Sequence, residues 1–572
     1  MLTMALAAAV SGQPAVAITL APKPAARGQD RIATIDVTLR FDGVAAAAGE
    51  AVLGLPLVTS NVDTVATVIT VQASDARGPL SLTTRDVVLP TGAARDADTG
   101  GPSRQWVASR AVAGRLTVRY TIPATASLPP RGPAPPFAFS DDGGGTSGAG
   151  HVFLLLPPGD AAYRATVDWN LSALPKGTRG ASSYGVGRVM APEPLTAGQL
   201  RMAYYMAGRG VGQWPVPARG FFAAWQGKPP FDAAGLMRWT GTLYDRYASF
   251  FGQKTPPPYG VFLRYNPINA GGGVGLYHSF VTTFGRSGGQ GSDPGEIKFT
   301  LAHEMFHTFQ PFIEEPAGLA SSWFGEGLAT FYQRRLPLRY GLIGPDDFVK
   351  DLNFHAGRYY TSAMATVPNA EVPTRFWADT RIRTLPYDRG MLYFADLDDR
   401  LRKASAGKRS LDDLMLAMLA RQHGGRTTTN ADWEAELRGA LGEPAVADFR
   451  AFLGGTMPLP ASDAFGPCFR RVAKPLRRYE LGFDTAVLAE PKRIVRGLQA
   501  GSAAAAAGLR DGDEIVVPVP QDGIQGNQTQ RLTLAVRREG RALSIDYLPR
   551  GETGQAWQWE RVLGVSDKAC AL

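Results

Sequence analysis

Residues 301–310 read L-A-H-E-M-F-H-T-F-Q, and the interpretation of the whole chain depends on them. His303 and His307 are four residues apart, so they lie one turn apart on the same face of a helix. At that spacing both imidazoles can bind one metal ion, and the adjacent Glu304 can hold a water molecule beside it. Because a five-residue pattern also arises by chance, this interpretation needs a helical context and a third ligand.

The residues before this stretch are typical of a helix start. Asp293 can cap a helix, Pro294 suits its first turn, and Glu296 stands three residues after the cap, as in a capping box. Pro311 cannot continue a helix, because it lacks the backbone N–H that a helix requires. The sequence therefore predicts one helix from Asp293 to about Gln310, which is the context that the metal-binding pattern needs.

A candidate third ligand follows in the next predicted helix, at residues 323–335. Glu326 lies within W-F-G-E-G-L-A, and eighteen residues separate it from His307. Zinc hydrolases use three protein ligands and leave a fourth position for water. A carboxylate on an antiparallel partner helix can complete that set, whereas the alternative for Glu326 is a structural salt bridge. We therefore predict one zinc ion bound by His303, His307 and Glu326.

The order H-E-x-x-H, eighteen residues, then W-x-x-E-G resembles the gluzincin peptidases, whose catalytic domain is thermolysin-like. Residues 386–390 read P-Y-D-R-G, which is similar to the P-Y-x-K/R-G motif of gluzincin aminopeptidases. In that family the motif tyrosine hydrogen-bonds the tetrahedral oxyanion, so the resemblance implies this role for Tyr387. Glu304 is the expected general base of the same reaction. The alternative for Tyr387 is a tyrosine of the hydrophobic core.

The chain of 572 residues is too long for one core, and its composition is that of an ordinary globular protein. Residues 18–189 alternate short β-rich runs with turn residues, which predicts a β-sandwich-like N-terminal domain without catalytic residue types. Residues 190–460 have mainly helical patterns and form the predicted catalytic domain. The elements expected in these two domains are strands at 32–41, 65–71, 116–122, 151–156, 259–265 and 271–280, a mobile loop at 141–150, and helices at 231–251 and within 385–453.

Residues 479–550 form a separate β-rich unit, with L-G-F at 481–483 and A-G-L-R-D-G-D-E-I at 507–515. This unit resembles a PDZ domain, and the order of the domains resembles the glycyl aminopeptidase family of gluzincins. The resemblance implies a multidomain α+β fold: a β-sandwich-like domain, a thermolysin-like catalytic domain and a PDZ domain at 468–572. PDZ domains bind a peptide C-terminus or an internal peptide along a sheet edge, so such a partner is expected. A packed spacer is the alternative.

The chain has two cysteines, Cys468 and Cys570. Their number alone fits a disulfide in an oxidising compartment and two unpaired thiols equally well. The resemblance implies a disulfide, because the two residues flank the PDZ unit, whose ends are usually close together.

Residues 1–17 have the pattern of a secretory signal peptide, a short apolar run followed by A-x-A with cleavage expected after Ala17. The usual basic start is missing, and an alanine-rich leader of another kind is the alternative. No later stretch reaches the roughly eighteen apolar residues of a membrane-spanning helix. We therefore expect a periplasmic or secreted protein without a membrane span.

Residues 274–278 read V-G-L-Y-H and align with a G-G-x-E-H-like strand of the family. The resemblance implies that this strand binds substrate through Gly275, Tyr277 and His278. In the family, its glutamate is expected to anchor the free α-amine of the substrate. Here Tyr277 takes that place, and a tyrosine cannot pair ionically with an ammonium group. The sequence therefore leaves the exopeptidase specificity open, although the hydrolytic residues are all present.

The expected function is zinc-dependent hydrolysis of peptides or proteins, by an aminopeptidase for small N-terminal residues such as glycine and alanine. An endopeptidase or dipeptidase with altered N-terminal recognition is the first alternative, because of Tyr277. A non-catalytic peptide-binding protein is less consistent with the intact ligands and base, and no feature favours another zinc hydrolase such as an epoxide hydrolase. The 60 basic residues are dispersed and the net charge is only +9, so no nucleic-acid partner is expected.

Overall fold

The computed structural model describes residues 13–60, 62–89, 101–124, 136–141, 144–215, 220–266, 270–289, 291–519 and 521–570. The described chain is a multidomain α+β protein with three clusters of buried apolar side chains. One cluster belongs to an N-terminal β region, one to a mainly helical middle region and one to a C-terminal unit. Most of the expected signal peptide, residues 1–12, lies outside the described residues.

The N-terminal region is built from strands whose buried and half-buried residues alternate, as the period-two pattern predicts. Its elements are β1 (Ala15–Pro24), β2 (Ile32–Asp42), β3 (Ala51–Pro56), β4 (Val58–Thr59), β5 (Val62–Asp63), β6 (Gln72–Asp75), β7 (Gly78–Leu80), β8 (Leu82–Leu89), β9 (Gly101–Ala108), β10 (Leu116–Pro123), β11 (Ser140–Asp141), β12 (Thr146–Ala149), β13 (Arg164–Trp169), β14 (Arg179–Ser182), β15 (Gly185–Val186), β16 (Val189–Met190), α1 (Ala197–Arg201) and β17 (Tyr204–Gly208). The main sheet has the order β16-β13-β1-β2-β10-β6-β7, and sheets β3-β9-β8 and β11-β12-β17-β14-β15 share its core.

Two of the strands expected in this region are confirmed, since residues 32–41 and 116–122 fall in β2 and β10. The strand expected at 65–71 is wrong. The hydroxyl of Thr64 accepts a hydrogen bond from the next turn and caps a 3-10 helix at Val65–Thr67. A local side-chain cap there replaces the ladder hydrogen bonds that a strand would need.

Two further expectations fail for reasons of packing. The strand expected at 151–156 is buried, but its backbone forms a 3-10 turn at Gly150–Val152 and no regular strand. The loop expected at 141–150 contains the fully buried strand β12. Gly148 in this strand packs directly on the Phe139 ring, which a Cβ would approach to 2.7 Å. Small residues therefore allow a close contact here that their composition alone does not indicate.

The ends of the N-terminal region differ from the expected boundaries. The cleavage position expected after Ala17 falls inside β1, where Val16 is buried and the strand is paired with both β2 and β13. At the other end, β17 is hydrogen-bonded between β12 and β14. The sheets of this region therefore continue past residue 189 to Gly208.

The middle region combines one sheet with ten helices among the described residues. Its elements are β18 (Gly212–Trp214), β19 (Phe221–Trp225), α2 (Ala233–Phe250), β20 (Tyr259–Tyr265), β21 (Gly273–Leu276), β22 (Ser279–Phe284), α3 (Pro294–Phe306), α4 (Ser322–Arg339), α5 (Pro345–Tyr360), α6 (Val372–Arg375), α7 (Thr380–Arg383), α8 (Leu385–Ala404), α9 (Leu411–His423), α10 (Asn430–Leu441) and α11 (Glu443–Leu453). The sheet order is β18-β19-β20-β22-β21, so β21 is an edge strand. The helices and strand expected at 231–251, 259–265, 323–335 and 385–453 are confirmed.

The single strand expected at 271–280 is instead a hairpin. β21 and β22 are antiparallel and meet at a turn formed by Tyr277 and His278. His278 has a φ of +45°, a left-handed conformation that non-glycine residues rarely adopt. The turn places Tyr277 and His278 at the end of the edge strand rather than within it.

Helix α3 begins as predicted and ends earlier. Asp293 caps it by accepting the Gly295 N–H at 2.8 Å. The helix ends at Phe306 instead of near Gln310, and His307 occupies the C-cap position. Thr308 and Phe309 then close shorter i to i+3 hydrogen bonds before the chain reaches Pro311. His303 is therefore held within the helix and His307 at its end.

Helices α4 and α8 touch backbone to backbone at two glycines. A Cβ on Gly327 would lie 2.8 Å from the Gly390 Cα, so neither position has room for a side chain. Glu326 directly precedes Gly327, and Tyr387 lies one turn before Gly390. The close crossing therefore brings the predicted third ligand and the predicted oxyanion tyrosine to the same place.

The C-terminal unit has its own small core. Its elements are β23 (Phe469–Tyr479), β24 (Arg493–Ile494), α12 (Ala503–Ala506), β25 (Glu514–Ile515), α13 (Gln521–Gly526), β26 (Leu532–Arg538), β27 (Arg541–Tyr547) and β28 (Arg550–Arg561). A sheet β24-β25-β26-β27 covers the core, while the long ribbon β23-β28 packs against α5 of the middle region. The expected disulfide is confirmed, because Cys468 and Cys570 are bonded with their Cα atoms 5.2 Å apart. Among the described residues, no helix is long and apolar enough to cross a membrane.

Candidate active site

Three side chains from α3 and α4 converge on one point. His303 Nε2 lies 3.0 Å from Glu326 Oε2, His307 Nε2 lies 3.3 Å from the same oxygen, and the two Nε2 atoms are 3.1 Å apart. Ligands at the usual zinc distances, on the corners of a tetrahedron, are about 3.3 Å apart. Two imidazoles and a carboxylate are also the donor types that zinc prefers. Both the spacing and the chemistry of this cluster fit a zinc ion.

The rear nitrogen of each imidazole contacts a glutamine that the sequence interpretation missed. His303 Nδ1 lies 3.0 Å from Gln333 Oε1, so its N–H can be donated there and its Nε2 lone pair left for a metal. His307 Nδ1 lies 2.7 Å from the amide of buried Gln310, whose Oε1 has no partner among the described residues. Gln310 Nε2 also donates to the Gly325 carbonyl of α4 at 3.1 Å, so this amide links His307 to α4. Gln333 stands seven residues after Glu326, two turns along the same helix face, which is a signal that the sequence does carry.

Glu304 faces the edge strand β21. A Cβ on Gly275 would lie 3.3 Å from Glu304 Oε2, and the Gly275 backbone N–H points to the same carboxylate. Burial raises the pKa of Glu304, while the adjacent histidines partly offset this effect. A carboxyl with a raised pKa, beside the metal ligands and the edge strand, is placed to accept and return a proton. Gly275 contributes space and a backbone donor, consistent with its expected place on the substrate strand.

Tyr387 closes the opposite side of the cluster. Its ring stacks on that of His303, with centroids 5.6 Å apart and an angle of 22°. The hydroxyl has no hydrogen bond to any described residue, although burial raises its pKa and thus keeps it protonated. A free phenol O–H near the metal ligands is able to donate to developing negative charge. The structure therefore brings His303, His307, Glu326, Glu304 and Tyr387 together.

The turn after β21 carries a carboxylate from a distant part of the chain. The Tyr277 hydroxyl donates to Glu193 Oε1, and His278 Nε2 lies 3.7 Å from the same oxygen. The Glu193 side chain remains 55% exposed, so its carboxylate is open to solvent. Burial lowers the pKa of His278, so the nearby carboxylate is not balanced by a fixed positive charge. Nothing in the pattern around Glu193 signals this role, because 84 residues separate it from Tyr277.

Comparison with known proteins reveals a likeness of fold. No protein-family model matches the sequence, and no curated protein matches it. An aminopeptidase N family protein from Idiomarina loihiensis is similar in structure, with a TM-score of 0.62 and 15% identity over 97% of this chain and 99% of that chain. An M1 zinc metallopeptidase from Deinococcus radiodurans gives a TM-score of 0.46 at 15% identity, over 78% of this chain and 96% of that one. Leukotriene A4 hydrolase from Saccharomyces cerevisiae gives 0.44 at 12% identity, over 78% and 69%. The first likeness shows that this chain has the fold of the Idiomarina protein over nearly its whole length.

Proposed function

We propose that the protein is a zinc-dependent peptidase whose metal is held by His303, His307 and Glu326. The observation that carries this proposal is the triangle of ligand atoms at 3.0, 3.1 and 3.3 Å, with a carboxylate base and a free phenol beside it. The likeness in fold to an aminopeptidase N family protein supports it. A purely peptide-binding role would predict the loss of a ligand or of the base, yet Glu304 and all three ligands are present.

Each protein group has a distinct task in the proposed reaction. Zinc on these ligands would supply a Lewis acid for the scissile carbonyl and lower the pKa of the attacking water. Glu304 takes a proton from that water and delivers it to the leaving amine, so the base is restored at the end. Tyr387 donates its O–H to the carbonyl oxygen as negative charge develops there, which favours the transition state over the substrate.

We further propose that the enzyme removes small N-terminal residues such as glycine and alanine. Tyr277 cannot itself pair with an α-ammonium, but its hydroxyl holds the exposed carboxylate of Glu193 at the end of the edge strand. A carboxylate there restores the negative charge that the expected glutamate would have provided. The alternative, because Tyr277 replaces that glutamate, is an endopeptidase or dipeptidase that does not depend on a free N-terminus.

The test compares glycyl and alanyl peptides with their N-acetylated forms, before and after metal removal. The proposal expects hydrolysis of the free peptides, loss of activity with a chelator and recovery with zinc. An aminopeptidase leaves the acetylated peptides intact, whereas internal cleavage of them would establish the alternative. No hydrolysis of any peptide by the zinc-loaded protein would contradict the proposed function altogether.

The remaining domains are proposed on the same basis. A signal peptide would precede an N-terminal β domain whose sheets reach from Ala15 to Gly208. The catalytic domain would follow to about residue 460, and a PDZ domain at 468–572, in a periplasmic or secreted protein. The disulfide supports an oxidising compartment. The L-G-F turn lines a pocket of about 250 Å³ together with Arg381 of the middle region, which is consistent with binding of a peptide terminus.

A further inference from the structure

A chain of buried hydrogen bonds leads away from the metal ligand His303. Its Nδ1 N–H is donated to Gln333 Oε1 at 3.0 Å, and Gln333 Nε2 lies 3.3 Å from His355 Nε2. His355 Nδ1 then lies 2.7 Å from Asp388 Oδ1, and Arg358 binds the same carboxylate with contacts of 2.6 and 2.7 Å. Donors and acceptors alternate along the whole chain only if His303 carries its proton on Nδ1. These hydrogen bonds thus hold His303 in the tautomer with the proton on Nδ1, which leaves Nε2 free for a metal.

The hydrogen-bond series also includes the neighbour of Tyr387, because Asp388 follows Tyr387 directly in α8. Asp388 is 1% exposed, and burial works to raise its pKa, but Arg358 and His355 hold the pKa below the usual value. A charged carboxylate at this depth is held in place by its partners, since moving away from them would leave it unpaired. One buried group therefore helps to fix both His303 and the start of α8.

The series of hydrogen bonds ends in the C-terminal unit, at Asp522 on α13. Arg358 Nη1 donates to the main-chain oxygen of Asp522 at 3.3 Å. The Asp522 carboxylate accepts the Thr380 hydroxyl and, at 2.7 Å, Arg383 Nη2. Gln525 of the same helix donates to the Thr380 hydroxyl at 3.0 Å. The first and last residues of α7, Thr380 and Arg383, are thus hydrogen-bonded to the C-terminal unit. Helix α7 ends four residues before Tyr387.

The Asp522 carboxylate contacts the segment that leads into Tyr387, because it accepts from both Thr380 and Arg383. The Asp522 side chain is nevertheless 49% exposed, so water reaches it although protein surrounds it.

The C-terminal unit is docked firmly enough to hold Asp522 in place. Asn353 of α5 forms two hydrogen bonds with the backbone of Trp559 in β28, at 2.8 and 2.7 Å. Next to them, Gly526 of α13 packs on the Phe354 ring, which a Cβ would approach to 2.4 Å. These contacts hold both β28 and α13 of the C-terminal unit against α5.

We propose that Asp522 is a positioning residue of the active site, through which the C-terminal unit fixes Tyr387 and His303 from outside the middle region. This inference rests on the proposed peptidase function. The Asp522 carboxylate holds Thr380 and Arg383 at the entry to α8. Its main-chain oxygen, which a side-chain substitution leaves in place, accepts from Arg358. The C-terminal unit is therefore needed for turnover as well as for any peptide that it binds.

The test uses the full-length zinc-loaded protein and a matched pair of variants. Asp522→Asn keeps the shape and removes the charge, and Asp522→Glu restores the charge. Asp546→Asn is the control, because Asp546 is 45% exposed, accepts a threonine hydroxyl and pairs with an arginine, but on the far hairpin of the same unit. The measurements are kcat, KM and the hydrogen exchange of the peptide that covers 380–391.

We expect Asp522→Asn to lower kcat about tenfold with KM within about twofold, as loss of a supporting hydrogen-bond partner does. Exchange should rise in 380–391, Asp522→Glu should recover part of kcat, and Asp546→Asn should match the wild type. Unchanged kcat and exchange in Asp522→Asn, or an equal effect in the control, would overturn the inference. If the wild type hydrolyses no peptide, the proposed function fails instead, and the exchange comparison still decides whether Asp522 positions this segment.

Discussion

The metal-ligand cluster and the turn after β21 are two parts of the candidate site, and they are built differently. The cluster lies where three helices cross, and each imidazole has a buried amide behind it. The turn lies at a sheet edge, and its carboxylate comes from an exposed loop residue, Glu193, held by one hydroxyl. A rigid site suits chemistry that tolerates little displacement, whereas a looser contact suits the choice of substrate. Changes at the cluster should therefore abolish the reaction, while changes at the turn should alter which peptides react.

The largest effect is expected for Glu304→Gln, which keeps the side-chain size and removes the base. We expect kcat to fall about 10²- to 10⁴-fold, because no other carboxylate near the ligands can move the proton. Zinc content should be unchanged, since Glu304 is not one of the three converging ligands. Full activity in a zinc-containing Glu304→Gln protein would refute the role given to this residue.

The next effect is expected for Tyr387→Phe, which removes only the hydroxyl. Loss of one donor to an oxyanion lowers kcat by about 10²- to 10³-fold in comparable sites, and KM should change little. The ring stacks on His303, so phenylalanine should keep that contact and the thermal stability. A rise in KM with unchanged kcat would instead assign Tyr387 to substrate binding.

A smaller effect within the metal-ligand cluster is expected for Gln333→Met. Without the acceptor at Nδ1, His303 loses its fixed ring orientation, and zinc affinity should fall about 10- to 100-fold in a chelator competition. Gln213→Met is the control, because it makes the same substitution at a glutamine whose amide donates to the Pro215 carbonyl, outside the cluster. Equal zinc affinity in both variants would show that the cluster does not need this support.

The smallest effect is expected at the turn, for Glu193→Gln. Loss of the ion pair with the substrate ammonium should lower kcat/KM for free peptides about tenfold. This factor corresponds to the lower end of the free energy that a hydrogen bond to a charged group contributes. Tyr277→Phe should have the same direction, because Glu193 would lose its donor. If Glu193→Gln leaves free peptides unaffected, recognition of the N-terminus does not use this carboxylate.

The same contrast explains what the sequence could predict. His303 and His307 were identifiable because their spacing matches one helical turn, and Asp293 and Pro311 limit that helix by local chemistry. Glu326 was identifiable because it lies in the next predicted helix. These features depend on short-range geometry, which the sequence displays directly.

What the sequence did not predict depends on contacts between distant segments. Glu193 meets Tyr277 across 84 residues, and Asp522 meets Arg383 across 139. The turn at His278 needs a left-handed backbone at a residue that is not glycine. Likewise, β12 is buried although its residues are small and polar, because neighbouring aromatic rings cover it. Only the three-dimensional packing supplies these facts.

The central claim is that His303, His307 and Glu326 hold one zinc ion. The direct measurement is the zinc content of the purified protein and of Glu326→Ala after dialysis, with circular dichroism to verify folding. The account predicts one zinc per wild-type chain and a loss of most zinc from the folded variant. A wild-type protein without zinc, or a variant that retains one zinc per chain, would contradict it.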